Sequence, residues 1–366
     1  MTEVKATEVE KSRGLRRYLP TTSTIKAVLV QILAVLLAFV TGAIVLSLTG
    51  YSPIQAYSAM YRGAFGSMYA IGQTLAKATP ITFTALAFLF AFKSGLFNIG
   101  AEGQLIIGAM ASAVVGISFN GLPAPVHITL ALLAGAVAGG LWGFIPAFLR
   151  AKYGAHEVIT TMMLSYVALY LTSYMVNYPF KAPGWIAQTI PVSESARLPR
   201  ILPPSQLSAS LYLAVLLVVL TEYVLKRTVL GFELRATGLN PDAAENAGIN
   251  VNRGMILALV ISGAIAGLGG SGEILGVHRR FIDHFSPGYG WDGLAVALVG
   301  GLNPVGAFFA AILFGALRSG GMAMTRATGV PLDIVFLLQA LVILFVAAPK
   351  MIRALLKRSG LTWLGS

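Results

Sequence analysis

The sequence predicts an all-α polytopic membrane protein with about ten transmembrane helices, arranged as a 5+5 inverted repeat with broken helices. Hydrophobic residues make up 56% of the chain and charged residues 11%, whereas soluble proteins have about 45–50% and about 25%. Many apolar runs approach the ~20 residues that a helix needs to cross a bilayer. Polar, Gly-rich interruptions of two of these runs predict the broken helices.

Ten apolar segments are the predicted spans, and they lie at about 25–49, 68–92, 103–120, 125–149, 157–179, 209–225, 254–277, 289–303, 305–323 and 331–348. Residues 1–24 lack a short apolar core with a cleavage site, so they predict a retained cytoplasmic tail. Residues 350–366 predict a second such tail. Between them, 25–349 is predicted to form one transmembrane domain with a cytoplasmic loop at 226–253.

The distribution of basic residues predicts the orientation. Sixteen of the 26 Lys and Arg residues fall in tails and loops that are predicted to be cytoplasmic, and seven fall in external segments. This asymmetry follows the positive-inside rule and places both termini in the cytoplasm. It also accounts for the net charge of +12 without a nucleic-acid partner.

Two interruptions of the apolar pattern are the candidate translocation path. Polar and Gly-rich backbone at membrane depth is stable only where it lines a polar cavity or is buried in protein. The candidate path residues are Phe97, Asn98, Glu102 and Gln104 in the first break, and Tyr289, Trp291 and Asp292 in the second. The alternative is that Glu102 and Asp292 only cap helix N-termini, because both stand just before a new apolar run.

A weak internal repeat relates the two breaks. Gly100-Ala-Glu-Gly-Gln-Leu-Ile-Ile has a counterpart in Gly290-Trp-Asp-Gly-Leu-Ala-Val-Ala, 190 residues later. Five spans per half is an odd number, so the halves would be inverted relative to each other, as in many transporters. Chance similarity in a Gly-rich apolar chain is the alternative.

The polar loop at 226–253 contains a short helix whose ends are marked in the sequence. Asn240 suits the N-cap, Pro241 the first helical position, Asp242 the positive dipole end and Gly248 a left-handed C-terminus. A helix this short needs a surface to pack on. Its small residues predict close docking into a partner, and an ordinary solvated loop is the alternative. The candidate docking residues are Gly238, Asn240, Pro241, Asp242, Ala243, Ala244, Ala247 and Gly248.

Several classes of site are excluded by composition. The chain has no Cys, and its four His residues show no metal-ligand spacing, so no metal site is predicted. No Walker loop and no Ser/His/Asp constellation occurs, so the sequence predicts neither nucleotide hydrolysis nor another enzymatic activity on this chain, and no cofactor.

Taken together, the motifs resemble permease subunits of bacterial and archaeal ABC importers for nucleosides and simple sugars. The larger group includes ribose and branched-chain amino acid permeases. The similarity covers roughly residues 25–350 and is carried by four motifs in order, at 97–104, 157–164, 235–244 with 247–249, and 288–298. Two departures weaken the nucleoside assignment, because His156 and Ser165 stand where that family usually has Asn.

The resemblance implies a set of partners. It implies an ATPase on a separate chain that receives the capped helix in a groove, an extracellular solute-binding protein that delivers a small molecule, and a second permease, with a heterodimer favoured. It also implies the cell membrane of a bacterium or archaeon. The competing hypothesis is an ion-coupled secondary transporter with inverted repeats, which the same broken helices would suit. A membrane enzyme lacks a catalytic constellation.

Overall fold

The computed structural model describes residues 22–119 and 121–347. The last three residues of the tail predicted at 1–24 begin the first helix; the rest of that tail and the tail at 350–366 lie outside the described residues. The described part is helical, with two isolated β-bridges, Gln188–Ile282 and Arg200–Ser208. By internal contacts, the described residues divide into a large unit, 50–336, and a small unit made of 22–49 and 337–347.

The helices have the following bounds in chain order: α1 Thr22–Leu48, α2 Pro53–Phe65, α3 Met68–Phe92, α4 Ala101–Ser118, α5 Ala124–Tyr153, α6 Glu157–Asn177, α7 Ser210–Arg227, α8 Val229–Leu239, α9 Pro241–Asn246, α10 Val251–Gly272, α11 Tyr289–Val299, α12 Pro304–Thr328 and α13 Leu332–Ala347. A π-helical turn, Glu273–His278, extends α10 without a break.

In the described part, seven helices are long and apolar enough to cross a membrane: α1, α3, α4, α5, α6, α10 with its π-helical turn, and α12. The predicted ten spans are therefore not confirmed. The helix α11 has 11 residues, which at ~1.5 Å per residue reaches only about half of a ~30 Å hydrocarbon core. The helix α13 has 16 residues, and α7 has 18 residues but three charges near its end, Glu222, Lys226 and Arg227.

Helix ends follow the capping chemistry of the sequence. The side chain of Asn303 accepts hydrogen bonds from the backbone N–H groups of Val305 and Gly306, and Pro304 occupies the first position of α12. Gly329 ends the same helix at φ +71°, in the left-handed region that glycine enters without a steric cost. Asn and Pro at one end and Gly at the other thus set the bounds of α12.

In the small unit, Val30 and Ala34 of α1 are buried. Leu33, Leu37, Phe345 and Val346 pack against them. An apolar stripe of α1 thereby meets the end of α13.

The centre of the large unit is built on close backbone contacts between glycines. The helix α3 is almost entirely buried from Ala76 onwards. Beside it, α5 and α10 approach so closely that a β-carbon on Gly263 would overlap the carbonyl oxygen of Gly139, and one on Gly267 would overlap that of Gly135. Small residues at helix crossings are the usual route to tight packing in lipid, where dispersion replaces the hydrophobic effect.

We expect Gly263→Ala to lower the thermal midpoint of the purified protein, because overpacking a tight contact costs ~1–3 kcal/mol. The matched control is Gly254→Ala in the same helix, where a β-carbon would lie 3.7 Å from Thr237 Oγ1, an ordinary contact. That control should be neutral or slightly stabilising, since Ala is the better helix former by ~0.5–1 kcal/mol. Equal midpoints for the two variants would contradict the packing role of Gly263.

Candidate functional site

The first break, residues 93–100, is organised around the buried side chain of Asn98. Its Nδ2 donates to Gln104 Oε1 at 2.8 Å and lies 2.7 Å from Ser262 Oγ, and its Oδ1 accepts from the backbone N–H of Gly100 at 3.0 Å. Ser262 in turn donates to the carbonyl of Ala87 at 2.6 Å. Asn98 and Gln104 therefore use their polar groups to bind α3, α4 and α10 together.

The second break leads into the short helix α11. Gly288 precedes it at φ +94°, and the hydroxyl of Ser286 accepts from the N–H groups of Gly288 and Tyr289 at 3.3 Å. Thr84 of α3 donates to the carbonyl of Tyr289 at 2.7 Å. Sequence reasoning missed Ser286 and Thr84; a Ser two residues before a Gly was the available signal for a turn that caps a helix.

Glu102 joins the two breaks. Its Oε2 accepts from the backbone N–H of Gly290 at 2.5 Å, and it also shares a hydrogen bond with the Ser286 side chain. Glu102 lies in the first turn of α4 but satisfies an N-terminal N–H group of α11. A β-carbon on Gly290 would overlap the backbone of Glu102, so the approach requires glycine there. Glu102 thus caps the N-terminus of α11, where its partner Gly290 lies 188 residues later in the chain.

Asp292 forms an ion pair with Arg318 of α12, with Oδ2 and Nη2 2.6 Å apart. The same guanidinium donates to the carbonyl of Pro287 at 3.3 Å and lies 5.3 Å from the ring centre of Tyr289. Arg318 was not among the sequence-predicted site residues. The signal was present, because a cation inside an apolar run needs a partner.

Two of the seven predicted path residues are exposed. Phe97 is 39% exposed and packs edge-on against Phe92, with ring centres 5.1 Å apart. Trp291 is 41% exposed. The other five are buried or partly buried, so their side chains contact other parts of the chain. The rings of Phe97 and Trp291 lie at the surface.

The cytoplasmic loop predicted at 226–253 contains two helices. Thr228 caps α8 by accepting from the N–H of Gly231 at 3.1 Å, a Thr signal that sequence reasoning missed. Asn240 caps α9 by accepting from the N–H of Ala243 at 3.0 Å, and Gly248 has φ +83°. The predicted capped helix is confirmed, with six residues.

The structure divides the predicted docking residues of this helix by their exposure. Ala244 is buried within the chain itself, 3% exposed. Asp242, Ala243, Glu245 and Ala247 are exposed. A helix of six residues needs packing to be stable, and Ala244 supplies it by facing inward.

The helix α8 touches the first break directly. A β-carbon on Gly95 would lie 3.3 Å from the Cα of Gly238 in α8, so the two backbones pass each other in contact. The adjacent Lys93 is half-buried; burial first, and then the nearby charges of Arg235 and Lys226, lower its pKa. The start of the first break therefore rests on α8.

Of the two departures from the family pattern, Ser165 makes a contact between helices and His156 makes no cap bond. Ser165 Oγ accepts from the N–H of Gly103 at 3.4 Å, which ties α6 to the start of α4. His156 is the N-cap residue of α6 and makes no side-chain cap bond. The following residue, Glu157, pairs with Arg150 at 3.5 Å.

The family described as branched-chain amino acid transport system, permease component, matches residues 70–347. A guanosine ABC transporter permease protein of Bacillus subtilis is 41% identical over 89% of this chain and 94% of its own length. A second guanosine permease protein of that organism is 31% identical over 67% and 79%. A glucose ABC transporter permease protein of Haloferax volcanii is 38% identical over 86% and 85%. No solved structure matches.

We expect Glu102→Ala to lower the free energy of unfolding by ~1–3 kcal/mol, because it leaves the buried N–H of Gly290 without its acceptor. Glu102→Gln retains one acceptor oxygen and should lose less. Thermal melting of the purified protein measures both. The control is Glu194→Gln, which removes only an exposed pair with Arg197 and should change little. A Glu102→Ala protein with normal melting and normal uptake would contradict the role of Glu102.

Proposed function

The chain belongs to the family of branched-chain amino acid transport system permease components and is a membrane-embedded permease subunit of an ABC importer; we propose that its cargo is a nucleoside or a simple sugar. The observation that supports this cargo is the similarity to guanosine and glucose permeases over nearly the whole chain. The ion-coupled secondary transporter is not favoured, because the relatives are ABC transporter permeases.

We propose ten membrane segments in a 5+5 inverted repeat, within one permease domain at 25–349 and with both termini in the cytoplasm. Two observations support it. Helices occur at all ten predicted positions. Glu102 and Asp292, which correspond in the repeat, both lie in the first turn of a helix that follows a break. The proposed location is the cell membrane of a bacterium or archaeon.

The proposed partners are ATPase subunits on separate chains, an extracellular solute-binding protein and a second, different permease. The heterodimer is supported by the pair of guanosine permease proteins in Bacillus subtilis, of which one is more similar to this chain than the other. This chain would then contribute transport without enzymatic activity of its own.

We propose that the segment Gly238–Asn250 couples the ATPase to transport. Its exposed residues Asp242, Ala243, Glu245 and Ala247 would meet the ATPase, while Asn240, Pro241, Ala244 and Gly248 hold the helix in place. The contact between Gly238 and Gly95 supplies a route from the cytoplasmic helices to the first break.

The proposed translocation path runs along the two breaks. Phe97 and Trp291 would face the cargo, since their rings are exposed and can stack on a base or a sugar. Asn98, Glu102, Gln104, Tyr289 and Asp292 form the framework behind them.

Reconstitution tests the function. The permease pair, its ATPase and its binding protein are reconstituted in proteoliposomes. They should transport a nucleoside or sugar only when ATP is present on the side of the membrane where the ATPase lies. Uptake by the permease alone, driven by an ion gradient, would instead support the secondary transporter.

We expect Ala243→Arg to uncouple ATP hydrolysis from uptake while leaving thermal melting unchanged. A clash in a close-packed contact costs ~1–3 kcal/mol, so uptake per ATP should fall roughly tenfold. The comparison is Ala244→Arg, which should instead lower the melting temperature because that side chain is buried in this chain. Unchanged uptake by Ala243→Arg would contradict the proposal that Gly238–Asn250 couples the ATPase to transport.

We also expect the permease complex without its binding protein to bind nucleosides and pentoses only weakly. An importer fed by a binding protein needs weak sites along its path, because a tight site would slow release. Isothermal titration of the purified complex should show no micromolar binding. Micromolar or tighter binding would revive the secondary transporter.

A further inference from the structure

A cavity of about 240 Å³ lies beside the second break, within the large unit. It is lined by Lys77, Pro287, Tyr289, Arg318, Met322, Leu332, Val335 and Phe336. The lining combines three residues with polar side-chain groups, Lys77, Tyr289 and Arg318, with mainly apolar surface. Its volume is below the ~300–1,000 Å³ of pockets for drug-sized ligands, so it suits a smaller molecule.

Lys77 is the group in this cavity that the contacts described above do not explain. It stands in the middle of the membrane-spanning helix α3 and is partly buried. In residues 22–119 and 121–347 it makes no ion pair within 4 Å and no hydrogen bond. It acts electrostatically on Glu273, whose Oε2 lies 3.6 Å from His278 Nε2. Intramembrane cations are costly and mark sites that use them.

Lys77 is the lining cation that is left for a ligand. The guanidinium of Arg318 is already paired with Asp292, with 2.6 Å between Nη2 and Oδ2, whereas Lys77 has no carboxylate within 4 Å among the described residues. The cargo proposed above is neutral, so Lys77 would meet it as a hydrogen-bond donor. The ammonium of Lys77 still has donors to offer, and carbonyl oxygens are suitable acceptors for them.

The largely apolar lining favours a flat ring over a free sugar. Met322, Leu332, Val335 and Phe336 offer no hydrogen-bonding side-chain group to a hydroxyl. A free sugar has hydroxyls around its whole edge, and those that meet these side chains would lose their water without replacement. A nucleobase has two apolar faces and carries its carbonyls on its edge.

We infer that this cavity is a low-affinity subsite for the base of a nucleoside, with Lys77 donating a hydrogen bond to a base carbonyl. The inference rests on the importer function proposed above and selects nucleosides over simple sugars as its cargo. It places the cargo at the start of α11, next to the link between Glu102 and Gly290.

Uptake by the full complex in proteoliposomes tests the subsite. Lys77→Met should lower guanosine uptake about tenfold, as expected for losing one hydrogen bond from a charged donor. Adenosine, which lacks a base carbonyl, should lose less, and Lys77→Arg should restore part of the guanosine uptake. The control is Lys152→Met, an exposed lysine at the end of α5. Equal uptake of guanosine by Lys77→Met and the wild type would overturn the subsite.

A second measurement does not depend on the folding of the Lys77 variants. In a Phe336→p-azidophenylalanine variant, the photoreactive side chain should form a crosslink to guanosine during turnover. Mass spectrometry identifies the crosslinked molecule. Capture of phospholipid without nucleoside would overturn the inference in favour of a lipid site. A wild-type complex that imports sugars but no nucleoside would overturn it too, while leaving the importer function intact. A complex without ATP-driven uptake would contradict the proposed function itself.

Discussion

The hydrogen bond from the backbone of Gly290 to the carboxylate of Glu102 is the contact on which the two breaks depend. A helix that starts inside a membrane domain exposes N–H groups with no water to satisfy them. Glu102 supplies an acceptor from another helix, and Ser286 supplies one from the chain just before α11. The first break is therefore needed to stabilise the second, and neither can move without disturbing the other.

Close backbone approach is the second condition for this arrangement. Gly290 lets α11 reach Glu102, and Gly263 lets α10 lie against α5, because a β-carbon at either position would overlap a neighbouring backbone. The polar side chains then find partners at short range, as Asn98 finds Ser262 at 2.7 Å. The glycines allow the breaks to be buried, and the buried amide and carboxylate keep them in one conformation.

The same close approach of backbones connects α8 to the first break. Gly238 of α8 lies against Gly95, two residues after the half-buried Lys93. A displacement of α8 and α9 would press on the loop that leads to Asn98. Under the coupling role proposed above, this contact would be a short mechanical route from α8 and α9 to the proposed path.

The sequence by itself determined the helical class, the positions of the apolar segments, the cap of α9 at Asn240 and the polar character of both breaks. These depend on periodicity, length and local backbone chemistry, which neighbouring residues carry. Only the tertiary structure decided that Glu102 caps a helix 188 residues away, that Asp292 pairs with Arg318, and that Ala244 faces inward. Partners distant in sequence leave no local pattern, and the side of a short helix that is buried depends on what packs against it.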